Sequence, residues 1–138
     1  MPAPDPPSSD AATPPPATWA NKSRGGIRRV FNAVAYSCAG LRAALQHEAA
    51  FRQELWVGVP LLVTVPFIAP GRWQGLLMAL VIVAVWVAEL LNSAIEALAD
   101  SISVEPHPLM KRAKDMGSAA VMLTLLAAVA TWAVLLWP

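Results

Sequence analysis

Between Ile27 and Gln46, apolar residues return at three- and four-residue steps: Ile27, Val30, Phe31, Val34, Cys38, Leu41 and Leu45. That spacing marks one stripe of a helix. Arg28, Arg29, Asn32, Tyr36, Arg42 and Gln46 occupy its other faces. The pattern therefore predicts a basic amphipathic helix over 27–46, of the kind that lies in a membrane interface. Three longer apolar stretches follow. The first, Leu55 to Ala69, reaches the roughly 20 residues a bilayer requires if its helix begins near Glu48. Pro60 and Pro66 would kink that span, which packed transmembrane helices tolerate. Pro70-Gly71 predicts a turn, and further spans are expected at about 72–103 and 108–137. Trp132 and Trp137 stand near the far end of the last as interfacial anchors. The predicted architecture is all-α, with three transmembrane helices and an N-terminal amphipathic surface helix.

Composition agrees with this pattern. Hydrophobic residues make up 57% of the 138 and charged residues 14%, against roughly 45–50% and about 25% in soluble domains. The mean hydropathy is +0.51. One small core could not hide so much apolar side chain, because small domains bury only a modest part of their surface. The chain reads as an integral membrane protein.

Residues 1–24 form a separate region. Pro2, Pro4, Pro6, Pro7 and Pro14 to Pro16 stand among Ala, Ser and Asp with no apolar run, so a disordered or locally polyproline-like tail is expected. It has neither the basic start nor the apolar centre of a secretory signal. Residues 25–138 then form one membrane domain.

A formal charge of +1 gives no bulk attraction to nucleic acid, and none is expected as a partner. The lone Cys38 excludes an intrachain disulfide and a cysteine-based zinc cluster. No P-loop, GxGxxG or HExxH pattern occurs. Lys22, Arg24, Arg28, Arg29, Arg42 and Arg52 precede or open the first span, and Lys111, Arg112 and Lys114 open the third. The 70–74 turn carries only Arg72. By the positive-inside rule, the N-terminus and the 101–114 loop are expected in the cytoplasm, with the C-terminus outside.

The informative residues interrupt the second span. At about 100° per residue, Glu89, Asn92, Glu96 and Asp100 fall within roughly 80° of arc on one helix. A charged side chain at a helix centre costs about 2.5–3.5 kcal/mol on translocon scales. The stripe must therefore face protein, a metal ion or a water-filled site. A single intramembrane Asn or Glu can join helices, whereas four in a line point to function.

Glu48 and Arg52 stand at i, i+4 where the first span begins, with Glu54 just beyond. That spacing allows a surface ion pair. It also sets Glu48 at the same depth as Glu96, since one span enters where the next leaves. Two carboxylates at one depth suit Mg²⁺, a hard ion that keeps waters and phosphate oxygens as its other ligands. Lys114 and Asp115 open the third span near Glu96 and Asp100, and Glu105 and His107 lie in the intervening loop. Carboxylates, a divalent cation, a phosphate-neutralising lysine and an interfacial helix make up the inventory of phosphoryl transfer to a lipid alcohol. Three helices cannot readily enclose the stripe, so association with further copies is expected, in a number that the pattern leaves open.

The segment from Glu89 to Asp100, read as ExxNSxxExxxD, resembles the signature of the prokaryotic diacylglycerol kinase family. Glu48-Ala-Ala-Phe-Arg-Gln-Glu54 and Arg112-Ala-Lys114-Asp115-Met-Gly-Ser-Ala-Ala120 resemble that family's other two motifs. The likeness runs from about residue 25 to 137. It implies a homotrimeric membrane kinase that transfers the ATP γ-phosphate to diacylglycerol and requires Mg²⁺. Under it, Glu89 matches the catalytic base, while Glu48 and Glu96 match the metal-binding carboxylates. Arg29, Tyr36, Glu48, Glu96, Glu105, His107, Lys114 and Asp115 are expected at ATP. Arg29, Arg42, Arg52, Glu54, Glu89, Asn92 and Ser118 are expected at the lipid substrate. Cys38, Asn32 and Pro106 depart from the residues common in the family at their positions, and the catalytic stripe is intact. A polyprenol such as undecaprenol is an alternative acceptor within the family, and a small proton or cation conduit is an alternative of another class.

Overall fold

The computed structural model describes residues 26–102 and 107–137. Glu105 and the proline-rich residues 1–24 lie outside the described residues. Among the described residues four helices follow in order: α1 (Gly26–His47), α2 (Ala49–Ile68), α3 (Arg72–Ile102) and α4 (Pro108–Leu136). The chain divides into two units, residues 1–35 and 36–138. In the first, the described turns of α1 carry Arg28 and Arg29, both exposed.

In the second unit α1 ends at His47, and Glu48 adopts an extended conformation (φ −99°, ψ 109°) before α2 begins. A helix end leaves its last carbonyls without intrahelical partners. Arg52 meets two of them: Nη1 donates to Leu45 O and to Gln46 O, 3.2 Å each. Arg52 thus holds the α1–α2 corner instead of pairing with Glu48 four residues earlier.

Helices α2, α3 and α4 are each long and apolar enough to cross a membrane. Helical pairing satisfies the backbone within each segment, as a bilayer interior demands. Pro60 and Pro66 both lie inside α2, which continues through them. The central element is α3, which packs against both α2 and α4. Its buried ridge recurs at helical spacing through Gly75, Met78, Ile82, Val85, Glu89 and Ser93. Large apolar side chains on the outer faces, including Trp56, Phe67, Trp73 and Val134, stay exposed on the chain, as lipid-facing surfaces do. Trp132, expected as an interfacial anchor, also makes a contact between helices. It is half-buried, and its Nε1 donates to Met78 O at 3.2 Å, joining α4 to α3.

Candidate active site

The apolar ridge of α3 turns polar after Val85. Glu89 takes the next place on it and is only 5% exposed. A buried carboxylate in an apolar ridge is costly without partners, and those around Glu89 are themselves acidic. Glu48, at the N-terminus of α2, and Glu96, two turns along α3, lie close enough to Glu89 to act on its charge. Glu89 acts on Glu54 of α2 in the same way. Among the described residues, no Lys or Arg forms an ion pair with any of these four.

Each carboxylate is held differently. Glu48 is half-buried, and its side chain makes no hydrogen bond to the first turn of α2, which leaves its oxygens available. Glu96 is half-buried and accepts a hydrogen bond from Asn92 Nδ2 at 3.2 Å, one helical turn away. Glu54 is half-buried, with Oε2 enclosed and, among the described residues, without a partner. Asn92 Oδ1 is enclosed and unpartnered among the described residues as well.

Glu54 and Gln53 lie at an apolar cavity of about 470 Å³ between α2, α3 and α4, walled by Val57, Leu61, Val85 and Val129 among others. A carboxyl group at a chamber lined with aliphatic side chains can meet the polar end of a molecule whose tail is apolar. Gly58 and Trp86 also line this cavity, and neither was singled out from the sequence. A glycine inside an apolar helix costs about 1 kcal/mol relative to Ala, so its presence there was the available sign of close packing.

At the opposite end of the stripe, Asp100 reaches across to α4. Its Oδ1 lies 3.1 Å from Lys114 Nζ. Asp115 is engaged by Lys111 at 2.6 Å. His107 precedes α4 and caps it, with Nδ1 accepting from Leu109 N at 3.2 Å. Tyr36, Arg42 and Ser118 are exposed, and among the described residues none hydrogen-bonds to the acidic cluster. Thus the structure sets Glu48, Glu54 and Glu96 within electrostatic reach of Glu89, joins Asn92 to Glu96, ties Lys114 to Asp100, and sets Arg52 on the carbonyls that end α1.

No three His, Cys, Asp or Glu side chains converge as a metal cage among the described residues. The donor set of Glu48 and Glu96 nevertheless fits Mg²⁺. Both offer hard carboxylate oxygens, and this ion is usually held by one or two carboxylates with substrate phosphates and waters completing its shell.

Comparison with known proteins gives a consistent picture. The profile of the family described as "Prokaryotic diacylglycerol kinase" matches residues 35–136. A diacylglycerol kinase of Pseudomonas aeruginosa is 45% identical over 115 residues, covering 83% of this chain and 94% of that relative. The diacylglycerol kinase of Escherichia coli K12 is 46% identical over 115 residues, covering 81% and 92%. That of Haemophilus influenzae is 38% identical over 100 residues, covering 72% and 85%.

Proposed function

Because the chain belongs to the prokaryotic diacylglycerol kinase family, we propose that it phosphorylates diacylglycerol to phosphatidic acid with ATP. The reaction takes place at the cytoplasmic face of the bacterial inner membrane. The enzyme works as a homotrimer, with its N-terminus in the cytoplasm and its C-terminus outside. The observation that carries this reading is the position of Glu89: buried on α3, beside Glu48 and Glu96, with Glu54 leading from it to the apolar cavity.

The acyl region of the lipid enters between Val57, Leu61, Val85 and Val129, and Gln53 and Glu54 meet its glycerol end. Glu89 accepts the proton of the free hydroxyl. The hydroxyl oxygen forms a bond to the γ-phosphorus as the bond from that phosphorus to the β–γ bridging oxygen breaks, and ADP leaves. Lys114 neutralises charge on the phosphate oxygens. Glu48 and Glu96 would hold Mg²⁺, which when bound would supply charge stabilisation to the nucleotide's phosphates. Asn92 orients Glu96 through its 3.2 Å hydrogen bond.

The test is phosphate transfer from ATP to lipid alcohols by the purified protein in lipid bilayers, with and without Mg²⁺. Diacylglycerol is expected to be phosphorylated in preference to undecaprenol. Glu89→Gln is expected to stay folded and to lose about 10²–10⁴-fold in turnover, the usual contribution of a general base. Wild-type turnover in Glu89→Gln at saturating lipid would overturn the assignment.

A further inference from the structure

Gly117 lies buried on α4 where that helix crosses the acidic stripe of α3. A Cβ built on it would overlap Asn92 Oδ1 and would stand 3.3 Å from Asn92 Cγ. The direction a side chain would take at 117 is therefore filled by the Asn92 carboxamide. One glycine α-hydrogen points at an oxygen that has no other partner among the described residues, a weak C–H···O contact. The opposite end of the same amide donates from Nδ2 to Glu96 Oε1 at 3.2 Å. Oxygen and nitrogen rotate together about one bond, so what seats Oδ1 also aims Nδ2. A carboxylate repels a carbonyl oxygen and attracts an N–H, which fixes the amide in this sense and sets Oδ1 against Gly117 of α4.

We infer that Gly117 is a positioning residue of the active site: its missing side chain seats the Asn92 carboxamide, which in turn holds the Glu96 carboxylate in the orientation that binds metal. The inference rests on the reading that Glu96 carries the nucleotide's Mg²⁺. A methyl group at 117 displaces the amide, and Glu96 loses its donor without any ligand being removed. Groups that orient metal ligands typically change metal affinity by about 10–100-fold when mutated.

The experiment measures Mn²⁺ binding by electron paramagnetic resonance, on the full-length protein in bilayers with a non-hydrolysable ATP analogue. The Mg²⁺ concentration for half-maximal turnover is measured alongside. Gly117→Ala is expected to weaken Mn²⁺ binding about tenfold and to raise the Mg²⁺ requirement by a similar factor, with KM for the lipid unchanged. Asn92→Ala is expected to weaken Mn²⁺ binding equally. In the Gly117→Ala/Asn92→Ala double variant the loss is expected to be no larger than in either single variant, because the two act through one amide. Unchanged Mn²⁺ binding in folded Gly117→Ala, or losses that add in the double variant, would overturn the inference. If Gly117→Ala does not fold, the double variant decides: recovery of folding once the amide is removed supports the seating contact, and failure to recover overturns it. Glu96→Gln separates the two levels. If it abolishes Mn²⁺ binding while Gly117→Ala leaves binding intact, only the positioning role falls. If it too leaves binding intact, the metal assignment of Glu96 falls and the positioning role with it.

Discussion

Lys114 Nζ lies 3.1 Å from Asp100 Oδ1, tying the second turn of α4 to the last turn of α3. The side chains are 38% and 70% exposed, and a pair so open to water contributes at most about 1 kcal/mol. Stability and catalysis therefore separate here. Asp100→Asn and Lys114→Met are both expected to shift the melting temperature by only a few degrees. Lys114→Met alone is expected to lower kcat/KM for ATP by about 10²-fold, the scale for losing one electrostatic stabiliser of a developing charge. Thermal melts and ATP titrations on the two variants check this. Equal kinetic losses in both would show that the lysine works only through its bond to Asp100.

Gly58 lets α2 approach α3. A Cβ there would stand 2.7 Å from Trp86 Cζ2 and 3.0 Å from both Trp86 Nε1 and Ile82 Cγ2. Helix propensity favours Ala over Gly by about 1 kcal/mol, whereas forcing atoms into a filled contact costs about 1–3 kcal/mol. The indole ring is bulky and half-buried, so overpacking wins. Gly58→Ala is expected to lose about 1 kcal/mol of stability in detergent unfolding. Trp86→Phe, which removes the two closest indole atoms, is expected to restore it in the double variant.

These two contacts also show where the sequence stops being informative. Periodicity within a segment reports which face of a helix is apolar. It was therefore enough to place the four helices of the described residues. The acidic residues of α3 were legible for the same reason, since carboxylates inside an apolar run are conspicuous. Gly58 and Gly117 act across helices, and the register of one helix against another is not written in the pattern of either. Arg52 had a carboxylate at i−4 and carbonyls at i−6 and i−7. The break at Glu48 turns the carbonyls toward it, and that break is a tertiary event. The bond from Trp132 to the Met78 carbonyl of α3 is likewise a contact between helices that neither pattern contains.

His107 begins α4 by accepting the Leu109 N–H on Nδ1 at 3.2 Å, with Pro108 in the first helical position. This satisfies one of the unpaired donors at the helix start, and proline has no N–H to satisfy. Replacing a side chain that caps in this way with Ala costs about 0.5–2 kcal/mol. His107→Ala is expected to lose about 1 kcal/mol, and His107→Asn, whose short amide oxygen suits the same position, to recover most of it. Equilibrium unfolding of both variants checks this. Equal stability of His107→Ala and the native chain would show that the cap contributes nothing.

Trp132 offers the cleanest separation of a hydrogen bond from packing. Its Nε1 donates to the carbonyl of Met78, a residue with no exposed surface, and its ring walls the cavity that Glu54 borders. Trp132→Phe keeps an aromatic ring and deletes the donor. Side-chain hydrogen bonds between membrane helices average about 0.6 kcal/mol, so this variant is expected to lose about that much. Trp132→Ala removes the wall as well and leaves a larger void, for which several kcal/mol is the usual scale in a tightly packed site. Because the ring is only half-buried, the Ala variant is expected at the low end, about 2 kcal/mol, with a raised KM for the lipid and an unchanged KM for ATP. Unfolding in mixed micelles gives the two stabilities, and substrate titrations give the split. A Phe variant as unstable as the Ala variant would assign the whole effect to the indole N–H, and the cavity wall would then carry none of it.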